Sequence, residues 1–139
     1  MASAKDFPEQ DTWYTHYVSY GETDAMAVLY HAEYLHLFER SRSQFIRESG
    51  LSYREAEERG IMLPVRDASC RYRTPARYDE RIHVRCGISK WGRASVNFVY
   101  EIWNDDKTVL HATGATSHAC VNPDGKPIPI PGWLRDLFQ

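Results

Sequence analysis

The residues best suited to chemistry lie between an aromatic segment and a long helical pattern. Asp24 stands seven residues before His31, where a helix is expected to begin. The first N–H groups of a helix lack intrahelical partners and carry partial positive charge, so they can bind a carbonyl oxygen on which negative charge develops. A carboxylate opposite that terminus could act as base or nucleophile on the carbonyl carbon. An acidic residue before a helix is also typical of a turn or a cap, so both readings stay open on spacing alone.

Other catalytic and metal-binding patterns are missing from the sequence. There is no G-x-S-x-G elbow, no Walker loop and no G-x-G-x-x-G fingerprint. The cysteines form no C-x-x-C pair and fall in strand-like segments, where a free cysteine is usually buried: Cys70, Cys86 and Cys120. His31 and His36 are five residues apart, unlike the i, i+4 spacing of a helical metal pair. The sequence therefore predicts neither a disulfide framework nor a metal site.

Length and charge bound the kind of protein that carries these residues. The chain has 139 residues, which suits one domain with one core. It has 17 basic and 19 acidic side chains, a balance that argues against nucleic-acid binding driven by overall charge. No apolar run approaches the roughly 18 residues that span a bilayer, and the N-terminus lacks the apolar core of a signal peptide. We therefore expect no nucleic-acid partner, no membrane span and a cytoplasmic location.

One long helical pattern must position the candidate residues. It runs over Tyr30–Ser49, and Gly50 follows as the expected residue after a helix end. Apolar residues spaced by three, four and seven predict one broad buried face: Tyr34, Leu35, Leu37, Phe38, Phe45 and Ile46. Glu39 is expected to bond Arg42 or Ser43 on the helix surface. A shorter helix is predicted over residues 52–59, with the Ser-x-x-Glu spacing of a capping box at its start.

Strand-like segments make up the rest of the chain. Aromatic and β-branched residues over 12–20 predict a first strand, and apolar alternation over 81–88 and 96–102 predicts two more. The alternation leaves Arg81, His83 and Arg85 on a face expected to meet solvent. Another strand is predicted over 108–121, and the segment around Arg71 and Arg73 supplies the fifth. Strands joined by short turns are antiparallel, so we predict an α+β fold with a five-stranded antiparallel sheet curled around one central helix.

Two groups of residues match a known family. The first group is Glu22-Thr23-Asp24, Val28, Tyr30-His31, Tyr34 and Phe38-Glu39-Arg40-Ser41-Arg42, and the second is Tyr72-Arg73-Thr74-Pro75-Ala76-Arg77-Tyr78-Asp79. In these residues the chain resembles the 4-hydroxybenzoyl-CoA thioesterase family of hotdog-fold proteins, and is most similar to the acyl-CoA thioesterase branch encoded with the Tol–Pal system. The resemblance implies a tail over residues 1–11 and a single hotdog thioesterase domain over residues 12–139.

The resemblance also implies a reaction. It implies hydrolysis of an acyl-CoA thioester, with Asp24 as general base or nucleophile and the backbone N–H of His31 polarising the thioester carbonyl. The His31 side chain either assists as acid or base or holds the turn. No metal or redox cofactor is implied, because coenzyme A is part of the substrate. The chain departs from the family at Met26-Ala27, where glycines are usual, and the Cβ of Ala27 restricts the backbone there.

Further site residues and partners follow from the same resemblance. Substrate contacts are implied at Tyr30, Tyr34, Arg93 and Ser95. Of these, Arg93 and Ser95 match a segment near coenzyme A, and guanidinium groups suit phosphate binding. The family pairs its sheets edge to edge with each site between two subunits, which implies a homodimer or a homotetramer. The acyl carrier is coenzyme A or acyl-carrier protein.

Two rival functions stay open. A hotdog dehydratase or hydratase would place its catalytic histidine and acid differently, and the order Glu22-Thr23-Asp24 before Tyr30-His31 favours a thioesterase. A non-catalytic acyl-CoA-binding module usually carries an added domain, for which 139 residues leave no room.

Overall fold

A computed structural model describes residues 6–139, so the first five residues of the predicted tail lie outside the described residues. One antiparallel sheet has the strand order β1-β3-β4-β5-β2. Its strands are β1 (Asp11–Tyr17), β2 (Val65–Tyr72), β3 (Arg81–Trp91), β4 (Ser95–Trp103) and β5 (Leu110–Ala119). The α-helices of the described part are α1 (Tyr34–Glu48), α2 (Tyr53–Glu58) and α3 (Gly132–Asp136). The predicted five-stranded sheet with one long helix is confirmed.

Helix α1 packs its apolar side into the sheet. A 3₁₀ turn over His31–Glu33 leads into it, and Gly50 follows its end at φ +99°, as predicted. The Phe38 ring stacks on Tyr100 of β4, with centroids 4.4 Å apart. The prediction that Leu35 is buried is wrong, because this side chain is 45% exposed. At 100° per residue it lies on the flank of the buried side, which is defined by residues 34, 37, 38, 41, 42, 45 and 46.

Two strand predictions need correction. The first strand ends at Tyr17 and not at residue 20, because the chain turns into a 3₁₀ turn over Tyr20–Glu22. The last strand covers residues 110–119 and not 108–121. In addition, β2 does not form a hairpin with β3, since it pairs with β5 at the far edge of the sheet. The connection between β2 and β3 therefore passes from one side of the sheet to the other.

The outer face of β3 is less exposed than its alternating charges predict. The Arg85 guanidinium donates to Asp11 at 2.6 Å and to Glu101 at 3.3 Å. Glu101 also accepts a bond from the Trp103 indole at 3.0 Å. Arg85, which was expected to meet solvent, is therefore half-buried, and the two carboxylates compensate its charge.

Arg42 of α1 is buried, with 6% of its surface exposed. Its Nε donates to the Tyr53 hydroxyl at 2.8 Å and its Nη1 to the Tyr100 hydroxyl at 2.9 Å. No carboxylate of the described residues forms an ion pair with it, and the predicted bond to Glu39 is wrong, because Glu39 lies near His36 instead, at 3.8 Å. Two tyrosine hydroxyls thus hold a cation that the periodicity of the helix assigns to the core.

The polar chain continues across the sheet to the segment before β2. The Tyr100 hydroxyl lies 2.6 Å from the Thr116 hydroxyl, which lies 2.8 Å from Nε2 of His118. The other ring nitrogen, Nδ1, donates to the Leu63 carbonyl at 2.9 Å, since a carbonyl can only accept. Nε2 is then the acceptor of the neutral imidazole. His118 is 1% exposed, and burial lowers its pKa to about 4.

We expect His118 to make the protein acid-sensitive. An unfolded histidine has a pKa near 6.5, so the unfolded state takes up the proton first as the pH falls. The contribution of neutral His118 to the free energy of unfolding should therefore be fully present above pH ~6.5. As the pH falls toward ~4, the free energy of unfolding should decrease by up to about 1.4 kcal/mol per pH unit. Urea unfolding of the wild type and the His118→Gln variant at pH 7, 6 and 5 measures this contribution. The exposed His36→Gln variant is the matched control. If the free energy of unfolding changed with pH equally in the wild type and in His118→Gln, this prediction would be contradicted.

Candidate active site

A pocket of about 190 Å³ lies where the loop before α1 meets the segment after β2. Its lining residues are Asp24, Val28, Leu29, His31, Tyr34, Tyr72, Arg73, Thr74 and Pro75. Of the predicted site residues, the structure thus brings together Asp24, His31 and Tyr34. Ligand sites are commonly pockets with apolar walls and a few polar groups, which describes this lining.

A tight turn holds the carboxylate of Asp24. Its Oδ1 accepts the Met26 N–H at 2.8 Å, and its backbone N–H donates to the Val28 carbonyl at 3.0 Å. Oδ2 accepts no hydrogen bond from the described residues. Ala27 has φ +64°, so it takes the left-handed conformation open to glycine despite its Cβ. The departure from the family's glycines is therefore accommodated by backbone strain at one residue.

Hydrogen bonds of Glu22 stabilise the loop that contains this turn. Its carbonyl accepts the Tyr30 N–H at 2.8 Å, and its carboxylate contacts His16 at 2.8 Å and accepts the Ser19 N–H at 2.7 Å. Burial raises the pKa of Glu22, but the hydrogen bonds from Ser19 and His16 outweigh it and hold that pKa below its usual value. The ionised carboxylate of Glu22 thus holds the start of the loop that carries Asp24, and the Glu22 backbone carbonyl holds its end.

Aromatic rings form one wall of the pocket. The Tyr72 hydroxyl donates to the His31 carbonyl at 3.1 Å, and its ring meets Tyr34 edge-on at 4.8 Å. Burial raises the pKa of Tyr34 to about 12, so this phenol stays neutral near pH 7. Tyr30 contacts the His31 ring at 4.6 Å but does not line the pocket. The predicted contact of Tyr30 with substrate stays a prediction.

The opposite wall is fixed by a buried histidine that the sequence did not single out. Nδ1 of His111 donates to the Thr74 carbonyl at 2.7 Å, and Nε2 lies 2.7 Å from the Glu80 carboxylate. The His111 carbonyl accepts the N–H groups of Arg73 and Thr74 at 2.9 and 3.2 Å. The match over residues 72–79 located this segment in the sequence but gave no sign that it forms the pocket wall with His111.

Arg93 and Ser95 lie far from this pocket within one chain. Ser95 pairs with Ala119, whereas Tyr72 pairs with Ala112, seven residues along β5. At about 3.4 Å per residue the separation is about 24 Å. Arg93 is exposed and Ser95 half-buried. A single chain therefore does not bring these two predicted substrate contacts to Asp24.

Outside this pocket, the part of the chain that the structure describes has another hollow but no group of side chains suited to a metal ion. A larger hollow of about 440 Å³ lies on the outer face of the sheet beside Phe7 and Glu101, and its lining holds none of the predicted site residues. Among residues 6–139, no group of three or more His, Cys, Asp or Glu side chains could hold a metal ion. Within the same range, the helices are too short or too polar to cross a membrane.

Comparisons with known proteins agree with this geometry. Residues 18–138 match the thioesterase-like superfamily. The acyl-CoA thioester hydrolase YbgC of Escherichia coli is 30% identical over 106 residues, which cover 76% of this chain and 78% of that protein. The crystal structure of a DHNA-CoA thioesterase from Staphylococcus aureus is 33% identical, with a TM-score of 0.83 over 91% of this chain and 85% of that one.

A more distant structure has the same fold. A variant of 4-hydroxybenzoyl-CoA thioesterase, complexed with 4-hydroxybenzoyl-CoA, superposes with a TM-score of 0.86 over 94% of this chain and 99% of that one. At 16% identity this likeness concerns the fold alone. The predicted hotdog fold, a five-stranded antiparallel sheet wrapped around one long helix, is confirmed.

Proposed function

The chain belongs to the thioesterase-like superfamily, and from that membership we propose that it hydrolyses acyl-CoA thioesters to free acids and coenzyme A. The observation that carries the proposal is the pocket that holds Asp24 beside the first turn leading into α1. A relative named as an acyl-CoA thioester hydrolase, 30% identical over most of both chains, supports the same reaction.

The reaction follows from two groups on opposite sides of a thioester carbonyl. The N–H of His31, at the start of the helical turn, stabilises the negative charge that develops on the carbonyl oxygen. Asp24 either takes a proton from the attacking water or attacks the carbon itself, giving an anhydride that water then cleaves. In both routes the C–S bond breaks, the thiol of coenzyme A leaves and water supplies the oxygen of the acid. The route needs no metal or redox cofactor.

The active unit in this proposal is a homodimer formed through β2. This strand lies at one edge of the sheet, and seven of its eight residues are exposed. An exposed strand edge presents unpaired N–H and C=O groups that can pair with a second copy. Antiparallel pairing about a two-fold axis would bring the Val65 end of one β2 beside the Tyr72 end of the other. Two such dimers would form the tetramer.

That arrangement gives Arg93 and Ser95 a role. They lie at the Val65 end of the sheet, since Ser95 pairs with Ala119 and Val65 with His118. In the dimer this end of one subunit approaches the pocket of the other. The guanidinium of Arg93 would then bind a phosphate of coenzyme A across the subunit boundary.

We expect Arg93→Ala to raise KM for CoA esters several-fold with little change in kcat. The phosphates lie far from the reacting carbonyl and are bound alike in ground and transition states. An acyl-N-acetylcysteamine thioester lacks phosphates, so its kcat/KM should not change. Steady-state kinetics on both substrates, with sedimentation at assay concentration, is the measurement. Equal losses on both substrates, or a fully active monomer, would contradict this role.

The acyl carrier and the cellular location are two further parts of this proposal. The pocket residues are proposed to act on the thioester, so they suit an acyl group carried by coenzyme A or by acyl-carrier protein. We place the protein in the cytoplasm, and the support is its free cysteines, Cys70, Cys86 and Cys120. Unpaired thiols are typical of a reducing compartment.

Product analysis separates hydrolysis from the rival functions. Purified protein is incubated with saturated and 2-enoyl-CoA esters, and the products are identified by mass spectrometry. The proposal predicts free acid and coenzyme A in equal amounts. A hydrated or dehydrated CoA ester would identify a hydratase or dehydratase, and unchanged esters with measurable binding would identify a binding module.

A further inference from the structure

Arg73 is a charged residue of the pocket to which the mechanism gives no task. It follows the last residue of β2 and lines the same pocket as Asp24. Arg71 lies two residues earlier, within β2, and is not among the lining residues. Arg73 therefore lines the candidate site, whereas Arg71 does not.

The backbone of Arg73 is firmly held, but its side chain has no partner. Its N–H donates to the His111 carbonyl at 2.9 Å, and the next residue is fixed through the Thr74 carbonyl and the His111 ring. The guanidinium is exposed and forms no hydrogen bond or ion pair with the described residues. Arg73 thus lines the pocket and carries a planar group of five donors that is available to an acceptor from outside the chain.

The charge of the pocket limits what that acceptor can be. Asp24 and Arg73 are the lining residues of fixed charge, and the other walls are aliphatic, aromatic or neutral polar. A carboxylate on the substrate would be repelled by Asp24 alone. With Arg73 in the same pocket that repulsion is offset, and a bidentate guanidinium–carboxylate contact becomes available.

The position of Arg73 distinguishes two sources of such an anion. Arg73 and Asp24 line the same pocket, so a group that meets Arg73 there lies close to the reacting carbonyl. The phosphates of coenzyme A are separated from the thioester by the whole pantetheine arm, with its two amide units. A carboxylate at the far end of a short acyl chain stays near the carbonyl. The shared pocket therefore favours an anion on the acyl group.

We propose that Arg73 makes this site selective for short acyl groups that end in a carboxylate. The inference rests on the proposed thioesterase function and adds the class of acyl group. Arg73 acts as a specificity-determining residue, because it binds the acyl end and takes no part in the attack on the carbonyl.

The test compares two CoA esters of equal chain length. Glutaryl-CoA and valeryl-CoA both carry five-carbon acyl groups, and only the first ends in a carboxylate. We expect the wild type to prefer glutaryl-CoA by about tenfold or more in kcat/KM, the range of a charge-assisted bond. Arg73→Gln should remove that preference by lowering kcat/KM for glutaryl-CoA while leaving valeryl-CoA unchanged. Arg54→Gln, an exposed arginine of α2 outside the pocket and outside β2, should retain it.

Other outcomes would overturn the inference. A rise in KM for both CoA esters, absent with the N-acetylcysteamine thioesters, would assign Arg73 to the phosphates. An equal fall in kcat for both esters would mean that Arg73 acts through Asp24. Hydrolysis of both esters by the wild type without a preference would leave the thioesterase function in place and reject the selectivity.

A binding measurement makes the inference independent of turnover. Non-hydrolysable CoA thioethers with a 4-carboxybutyl or a pentyl chain are titrated by calorimetry into wild type and Arg73→Gln. Tighter binding of the carboxybutyl thioether by the wild type, by about tenfold, and its loss in the variant are expected. Equal binding of the two thioethers by the wild type would refute the selectivity, even if no CoA ester were hydrolysed.

Discussion

Replacing Asp24 by asparagine should lower kcat/KM for the best acyl-CoA substrate by about 10²–10⁴-fold or more, since general-base catalysis alone is worth that much. Asparagine is nearly isosteric with aspartate, but it can neither take the proton of water at neutral pH nor attack the thioester. Thiol release followed with DTNB measures the loss.

The same substitution should leave the fold unchanged. The asparagine side-chain oxygen can still accept the Met26 N–H that Oδ1 accepts at 2.8 Å in the wild type. Thermal unfolding followed by circular dichroism checks this point, and Asp124→Asn, in an exposed turn, is the matched control for activity. Wild-type kcat/KM in the Asp24 variant would remove that residue from the mechanism.

Replacing Arg42 by methionine should lower the free energy of unfolding by about 2–4 kcal/mol, although Arg42 does not line the candidate active site. Methionine leaves the Tyr53 hydroxyl without its donor and the Tyr100 hydroxyl with Thr116 alone. Urea denaturation of the variant and the wild type gives the difference.

Two further variants identify the cause of that loss. Arg40→Met removes an exposed arginine whose Nη1 donates to the Tyr14 hydroxyl at 3.1 Å, and it should cost less than about 1 kcal/mol. Combining Arg42→Met with Tyr53→Phe removes the orphaned hydroxyl and should recover part of the stability. A double variant less stable than Arg42→Met alone would show that the unpaired hydroxyl is not the source of the loss.

Local sequence signals were sufficient to predict helices α1 and α2 and the number of strands. Ser52 caps α2 with the predicted capping box, and Gly50 adopts the positive φ expected after α1. Such features depend on residues within four positions of one another, so a single sequence contains them. The end of the first strand was predicted less well, because its last residue, Tyr17, pairs with Arg81, the first residue of β3, which is distant in the sequence.

Tertiary contacts account for the larger errors. Arg42 is buried between Phe38 and Phe45 of the same helix side, whereas its charge suggested a bond with Glu39 on the helix surface. The structure resolves the conflict with Tyr53 of α2 and Tyr100 of β4, which lie 11 and 58 residues away. Neither partner can be identified from the pattern of α1 alone.

The loop that carries Asp24 and His31 could be predicted from the sequence, whereas the pocket wall formed by the segment after β2 could not. Asp24 and His31 lie within one loop and one turn, and their motif identified both. Arg73 and Thr74 are held beside the pocket by hydrogen bonds with His111, which is 37 residues from Thr74. Ala27 was expected to restrict the turn, and the structure keeps the turn by placing this residue at φ +64°.

Thiol release by the purified wild-type protein tests the central claim most directly. The protein is mixed with DTNB and a panel of acyl-CoA esters that covers short, long, aromatic and carboxylate-ended acyl groups. We predict catalytic release of coenzyme A, over many turnovers per site, from at least one ester in the panel, and loss of that release in Asp24→Asn. No release above the uncatalysed rate from any ester, by a folded protein, would contradict the assignment of this pocket as a thioesterase active site.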